Sequence, residues 1–449
     1  MPNSGAPPAA SDLPARRWYH RIGPGLITAC VVIGPGSILT SSRVGAEHGY
    51  GLAWVVVAAV AFMMVYTALG AKLGVVARES AGQLVADRAG RWLAVLIGLG
   101  VFFISAAFQF GNNLGVHSAF AVYVKFDYFV VVFNALALAF LFGFKNLYRA
   151  VERLMMAFVA LMLVSFAVNL FFARPDLGQL AAGLLPGQQA QIDLTLLGLV
   201  GTTFVITAAY YQSYLVRQKG WTRPQLEDGL RDARAGAVIM ALITLMIMTT
   251  AAAVLRGQTL DNVKDVAQQL RPLFGREGQA LFCLGLFSAA YSSFLVNSMI
   301  GGFILSDGLG LGSRPDQLVP KLFTAAVLLT GMGVALWAIK TDRNPVPAIV
   351  AAQAVTVLAA PLMAGTLLWL TNRRDIMGAD RNGPVVNALA GVGFVLLVAM
   401  AWQTATVNIP RQIETWRTPP QPETSQTPLE SQGPGGPARR SSRQGDSNE

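Results

Sequence analysis

The chain has 449 residues, 53% of them hydrophobic and 13% charged, with a mean hydropathy of +0.49. That balance excludes an ordinary soluble domain and describes an integral membrane protein. The net charge of +10 would suit a nucleic-acid partner, but the basic residues follow a membrane-topology pattern instead, so no nucleic acid is expected.

Residues 1–20 form a tail rich in Pro and Ala, expected to be disordered and cytoplasmic. The tail has no separate apolar core, so no cleavable signal peptide is expected. Residues 21–408 are expected to form one transmembrane domain of about eleven apolar spans. These lie near 22–46, 50–77, 92–121, 127–144, 150–173, 194–216, 235–255, 279–305, 319–339, 345–371 and 385–407. Most are long enough for a bilayer, which takes roughly 20 helical residues.

The first span is the most telling. It reads GPGLITACVVIGPGSILT and is cut by Gly34-Pro35-Gly36-Ser37. Pro35 has no backbone N–H and blocks continuation of the helix, and the flanking glycines let the chain unwind. Unwound backbone in a bilayer is tolerated where it is buried in protein or lines a cavity, as at a transporter binding site. The third span carries Gln109, Asn112, Asn113 and His117, and the eighth carries Asn297. Amides there must be hydrogen-bonded. The sixth span contains Gly198, Gly201, Thr202, Thr203 and Thr207, a weak-helix, hydroxyl-rich stretch without proline. These threonines read equally as a second break or as interhelix contacts.

The polar loop 174–193 is expected outside. The loop 256–276, with DNVKDVAQQLRPL, is expected to hold a short surface helix. Residues 409–449, rich in Pro, Gly, Ser, Gln and Arg, are expected to be a disordered tail. Cys30 and Cys283 fall inside spans one and eight and are expected as small packing residues rather than a disulfide. No Asp or Glu lies within the apolar core of a span, whereas intramembrane acids mark ion paths and proton relays. Arginines and lysines concentrate in alternate loops, for example Arg78, Arg88 and Arg91, then Arg217, Lys219 and Arg223, then Arg373, Arg374 and Arg381. The positive-inside rule therefore sets a multi-pass protein of the cell (inner) membrane, N-terminus in and C-terminus out. An odd span count with breaks in spans one and six suits two inverted five-span repeats plus one extra helix. No GxxxxGK[ST] motif is present, so any transport is expected to be secondary or passive, and no enzyme activity and no cofactor are expected.

The run GPGSILTSSRVGAEHGYGLAWVVV resembles the first helix and following loop of Nramp metal-ion transporters. Span eight, LGLFSAAYSSFLVNSMIGGFILSDGL, and span ten, AAQAVTVLAAPLMAGTLLWLTNRRDIMG, resemble the family's eighth and tenth helices. The resemblance covers roughly residues 20–405. It implies an all-α membrane protein with the LeuT-type inverted repeat, helices one and six broken.

The chemistry implied by the resemblance departs from the family. Its metal-binding Asp and Asn of the first helix align with Gly34 and Ser37. Its Met-Pro-His motif of the sixth helix aligns with Val205, Ile206 and Thr207, and a second His with Gln212. Two carboxylates of its third helix, which resemble a proton path, align with Gln109 and Asn112. The Val31 and Thr202 carbonyls fall where the family's backbone ligands would be. Ser37, Thr203, Thr207, Gln353 and the Gly34 carbonyl would complete an uncharged shell. Thioether and imidazole suit late transition metals, and here both are replaced. The resemblance thus implies a divalent-cation transporter better suited to Mg²⁺ or another hard cation than to Mn²⁺ or Fe²⁺, and not proton-coupled. Two other readings stay open. The Gly34–Ser37 break exposes N–H groups at a half-helix start and suits the carboxylate of a small organic solute such as an amino acid, with Phe108, Tyr210, Tyr211 and Tyr291 as lining. A transporter fold can also serve as a non-transporting sensor. The expected partners are the bilayer and a metal ion or small solute. The sequence leaves the oligomeric state open.

Overall fold

The first span divides where Gly34-Pro35 interrupts it. Helix α1 is Pro24–Val32 and α2 is Pro35–His48, meeting at a bend of 60°. The structure, a computed structural model, describes residues 23–144, 146–186, 194–260, 263–341, 346–408 and 410. The two tails expected to be disordered lie outside those residues, Pro410 aside.

The helices that follow are α3 (Ala53–Val76), α4 (Ala81–Ala89), α5 (Arg91–Ala121), α6 (Phe129–Gly143), α7 (Leu147–Ala173) and α8 (Leu177–Gly183). Then come α9 (Leu194–Thr203), α10 (Ile206–Gln218), α11 (Leu226–Val254), α12 (Val263–Gly308), α13 (Leu318–Lys340), α14 (Val346–Asn372), α15 (Arg374–Met377) and α16 (Pro384–Gln403). Each of the eleven expected spans falls on one of these helices or on a broken pair. Among the described residues, seven helices are long and apolar enough to cross a bilayer, and the bent pair α1/α2 makes an eighth span. Helix α6 is shorter, at 15 residues, and the sixth span is split into α9 and α10. Helix α16 exposes Val385, Val392, Val395 and Trp402, a face suited to lipid rather than water.

The contacts repeat between the two halves. Helix α11 packs on α2 as α3 packs on α10, and α1 meets α7 as α9 meets α14. The corresponding members α3 and α11, α5 and α12, and α6 and α13 also pack against each other. This is the inverted five-span repeat, with the broken pairs at matching positions. Their backbones match as well. Ile33 (φ −86°, ψ 82°) closes α1, and Val205 (φ −84°, ψ 89°) opens α10.

The short helix expected within 256–276 is present over 263–271, with one face buried and the other exposed. It is the first part of α12, turned at Gly275 (φ 72°), and it buries Val263, Val266, Ala267 and Leu270 against the bundle. Those four residues recur at a helix period, and so carry one apolar face inward.

At the arginine-rich face a single carboxylate joins three elements. Asp307, near the end of α12, accepts from Tyr214 Oη of α10 at 2.6 Å, from Ser80 Oγ at 2.7 Å and from Gly82 N of α4 at 2.9 Å. The first turn of α4 favours a negative charge. Removing the phenol with Tyr214→Phe is expected to lower stability by about 1.5–3 kcal/mol, the worth of a hydrogen bond to a charged group. Thermal unfolding of the detergent-solubilised protein measures it. Nearby, Asp375 meets Arg373 and Arg88, each at 2.9 Å. The Arg373 guanidinium first, then Arg88, holds its carboxyl down to about 2, so this contact keeps its charge across the physiological range.

Candidate functional site

The first break faces a cavity of about 20 Å³, room for a water-sized guest, which the end of α9 also reaches. Helices α1 and α2 contribute Val31, Val32, Gly34, Gly36 and Ser37. Helix α5 contributes Ala107, Phe108, Gly111 and Asn112, α9 contributes Thr202, and α12 contributes Ser293. Six candidate residues named from the sequence therefore come together here: Val31, Gly34, Ser37, Thr202, Asn112 and, for an organic solute, Phe108.

The local backbone explains how. After α1 the chain makes a tight turn in which Gly34 N donates to Val32 O at 3.1 Å. Ile33 sits close to the inverse γ-turn minimum. Gly34 is extended (φ −113°, ψ 178°), and Pro35 then starts α2 with its preset φ. Helix α5 comes close because Gly115 lacks a side chain. A Cβ there would stand 2.1 Å from Pro35 Cγ. Across the cavity Thr202 Oγ1 lies 3.2 Å from Thr40 Oγ1 of α2, so the two broken spans are linked by hydroxyls.

Other residues named from the sequence do not line the cavity. Val205 is buried at the start of α10, and its carbonyl already accepts from Ala208 N at 3.1 Å and Ala209 N at 3.3 Å. Thr207 is buried in the first turn of α10. Gln109 is buried behind Asn112, whose Nδ2 donates to Gln109 Oε1 at 3.4 Å. Gln353 belongs to α14, but its side chain is outside the described residues. Thr203 is buried, and its hydroxyl has no partner among the described residues. Gln212 receives Thr28 Oγ1 at 2.5 Å, which ties α10 to α1. Of the four aromatics named for an organic solute, Phe108 alone is on the lining; Tyr210, Tyr211 and Tyr291 are not. His117 rests near Phe129, with ring centres 6.4 Å apart.

Sequence reading missed Ser293. It sits on α12 and its hydroxyl donates to Val31 O at 3.1 Å, so it touches the break directly. Three other serines of this helix, Ser288, Ser292 and Ser298, bond to carbonyls of their own helix, and the Ser306 hydroxyl is buried without a partner among the described residues. The polar atoms offered to a guest are hydroxyls of Ser37, Thr202 and Ser293, the Asn112 amide and backbone groups of the break. The lining contains no carboxylate, imidazole or sulfur among the described residues. Among the described residues no group of three or more His, Cys, Asp or Glu is placed to hold a metal ion.

A multi-pass membrane protein with two inverted repeats, and a central cavity where both broken helices meet, has the architecture of an alternating-access transporter. The chain belongs to the natural resistance-associated macrophage protein-like (Nramp) family, whose sequence model matches residues 25–406. It is therefore a member of a transporter family and not an enzyme. It is similar to the divalent metal cation transporter MntH of Deinococcus radiodurans, at 27% identity over 86% of this chain and 89% of that one. It is also similar to the MntH of Aeromonas hydrophila, at 29% identity over 88% of this chain and 99% of that one. Among solved structures, a mutant of the Eremococcus coleocola manganese transporter superposes with a TM-score of 0.78. The match covers 92% of this chain and 91% of that one at 18% identity, a likeness of fold.

Proposed function

We propose that the chain carries a divalent metal cation across the membrane, and that a hard cation such as Mg²⁺ suits its site better than Mn²⁺ or Fe²⁺. The names of its sequence relatives support the divalent cation. The observation that carries the preference is the donor set: among the described residues, hydroxyls, one amide and backbone groups surround about 20 Å³, with no acid, imidazole or sulfur on the lining. Soft donors are what late transition metals gain most from, and Mg²⁺ readily keeps water in its shell and needs few protein ligands. The volume also favours a single ion over an organic solute, whose pockets run to roughly 300 Å³ or more.

The same donor set separates transport from protons. The positions aligned with the family's third-helix carboxylates hold amides, Gln109 and Asn112, which do not titrate. The membrane potential alone then draws a divalent cation inward. The face that carries Arg78, Arg217, Arg314 and Arg373 is assigned to the cytoplasm by the positive-inside rule.

Uptake into proteoliposomes under a fixed membrane potential, with a metal-sensitive dye inside, tests the reading. Mg²⁺ uptake is expected to exceed Mn²⁺ uptake. The flux is expected to be unchanged by an imposed pH gradient, without acidification of the lumen. Mn²⁺ uptake with matching acidification would overturn the Mg²⁺ preference and the uncoupled mechanism. No uptake of either metal by folded protein would overturn cation transport and favour an organic solute or a sensor.

A further inference from the structure

We propose that Asn112 of α5 and Ser293 of α12 contact the transported ion directly and set which cations the site accepts, an inference that rests on the cation reading above. The position of Gly34 shows why. Its extended backbone would aim a side chain across the cavity, and a Cβ built there stands 3.2 Å from Ser293 Oγ and 3.3 Å from Asn112 Oδ1. The room that a side chain at residue 34 would take is thus bounded by a hydroxyl and an amide. Both belong to helices other than the two broken spans.

Each group is held in place. Ser293 donates its only proton to Val31 O at 3.1 Å, so its oxygen lone pairs stay free for a guest. That bond also fixes the carbonyl at the end of α1, leaving it one lone pair. Asn112 is braced by its Nδ2, which donates to Gln109 Oε1 at 3.4 Å, and this leaves its Oδ1 facing Gly34. Both side chains are buried, at 2% exposure each. The contact of Gly115 with Pro35 holds α5 against the break, so Asn112 cannot retreat without moving the helix.

The chemical consequence is a site of low field strength. Two neutral oxygens occupy the wall opposite Gly34, where one carboxylate would attract any divalent cation strongly. Weak, hard, uncharged donors favour a small hard cation over a soft one. A soft donor at residue 293 should reverse that preference, and a charge at residue 112 should raise affinity for every divalent cation.

The test measures Mg²⁺, Mn²⁺ and Cd²⁺ binding by titration calorimetry on the full chain in lipid nanodiscs. It compares wild type with Ser293→Cys and Asn112→Asp. Both substitutions are nearly isosteric, and each variant is checked for a wild-type melting curve. Ser293→Cys is expected to raise Cd²⁺ affinity relative to Mg²⁺ by about tenfold or more, since thiolate is a soft ligand. Asn112→Asp is expected to tighten all three metals by about tenfold or more, because a full charge then faces the ion. If wild type binds Mg²⁺ and neither variant changes any affinity, the inference is overturned and the cation reading stands. If wild type binds no metal but Asn112→Asp does, residue 112 does face the cavity and the cation reading falls instead. If neither wild type nor either variant binds any of the three metals, both are overturned.

Discussion

Vesicles carrying Gly34→Val are expected to show substrate uptake no higher than empty vesicles, while the purified variant melts like wild type. The two halves of that expectation come from one position. The backbone at Gly34 is extended, a conformation that a β-branched residue adopts readily, so the substitution brings no backbone strain. The three atoms nearest a Cβ there all belong to side chains, Ser293 Oγ at 3.2 Å, Asn112 Oδ1 at 3.3 Å and Ser293 Cβ at 3.5 Å, so small side-chain shifts relieve the contact. The two methyl groups then have nowhere to go but the cavity, whose free volume is about 20 Å³. They fill the space the ion would take and cover Ser37 and Thr202 with apolar surface. Wild-type flux in this variant would mean that the ion's path avoids the break.

The fold was legible in the sequence because a bilayer imposes few solutions. Runs of about twenty apolar residues must be helices, and alternate loops carry the arginines. The first break was legible because proline cannot continue a helix. The second was only half legible. Phe204 and Val205 are not helix breakers of that kind, and the surrounding structure sets their conformation. The Phe204 ring is buried between Phe62 and Tyr66 of α3, with ring centres 6.0 and 5.4 Å away. A tertiary contact of that sort has no signature in the local sequence, although the glycines and threonines before it weaken the helix.

The site was legible at α1 and α2 and blurred elsewhere for a related reason. Alignment by spacing transfers positions along a helix but not the directions of side chains. It brought Thr202 and Asn112 to the cavity, yet it also named Val205 and Thr207, which the turn at the second break leaves buried off the lining. Asn112 was named for a proton route, whereas it lies on the cavity wall. Ser293 was hidden among several serines of one span. Serine in a membrane helix commonly bonds back to its own turn, and Ser288, Ser292 and Ser298 do so here. Only the rotation of α12 about its axis selects Ser293, and α12 takes that rotation from its long contact with α5.

Gly236→Val is expected to have the largest effect on stability. Helices α1 and α11 touch backbone to backbone, in the manner of small residues at membrane helix interfaces. A Cβ on Gly236 would stand 2.2 Å from the Gly25 carbonyl oxygen, and one on Gly25 would stand 2.2 Å from the Asp232 carbonyl oxygen. Neither obstacle is a flexible side chain, so valine at 236 must push the helices apart. One turn earlier, the buried Asp232 carboxylate accepts from Gly23 N at 2.8 Å and Gly25 N at 2.6 Å, which satisfies the first turn of α1. Separation breaks those bonds and leaves the carboxylate buried without them. Overpacking contributes about 1–3 kcal/mol, and each lost bond to a charged group about 1.5–3 kcal/mol. The combined loss is comparable to the roughly 5–15 kcal/mol that holds a whole domain folded. Gly333→Val and Gly391→Val serve as controls, because a Cβ on either glycine meets nothing within 4 Å. The expected outcome is poor recovery of monodisperse Gly236→Val protein and a lowered melting temperature, against near wild-type values for the controls. A wild-type melting curve for Gly236→Val would mean that α1 can swing away from α11 at little cost. The first half-helix would then be held by its links to α7, α10 and α12 rather than by this contact.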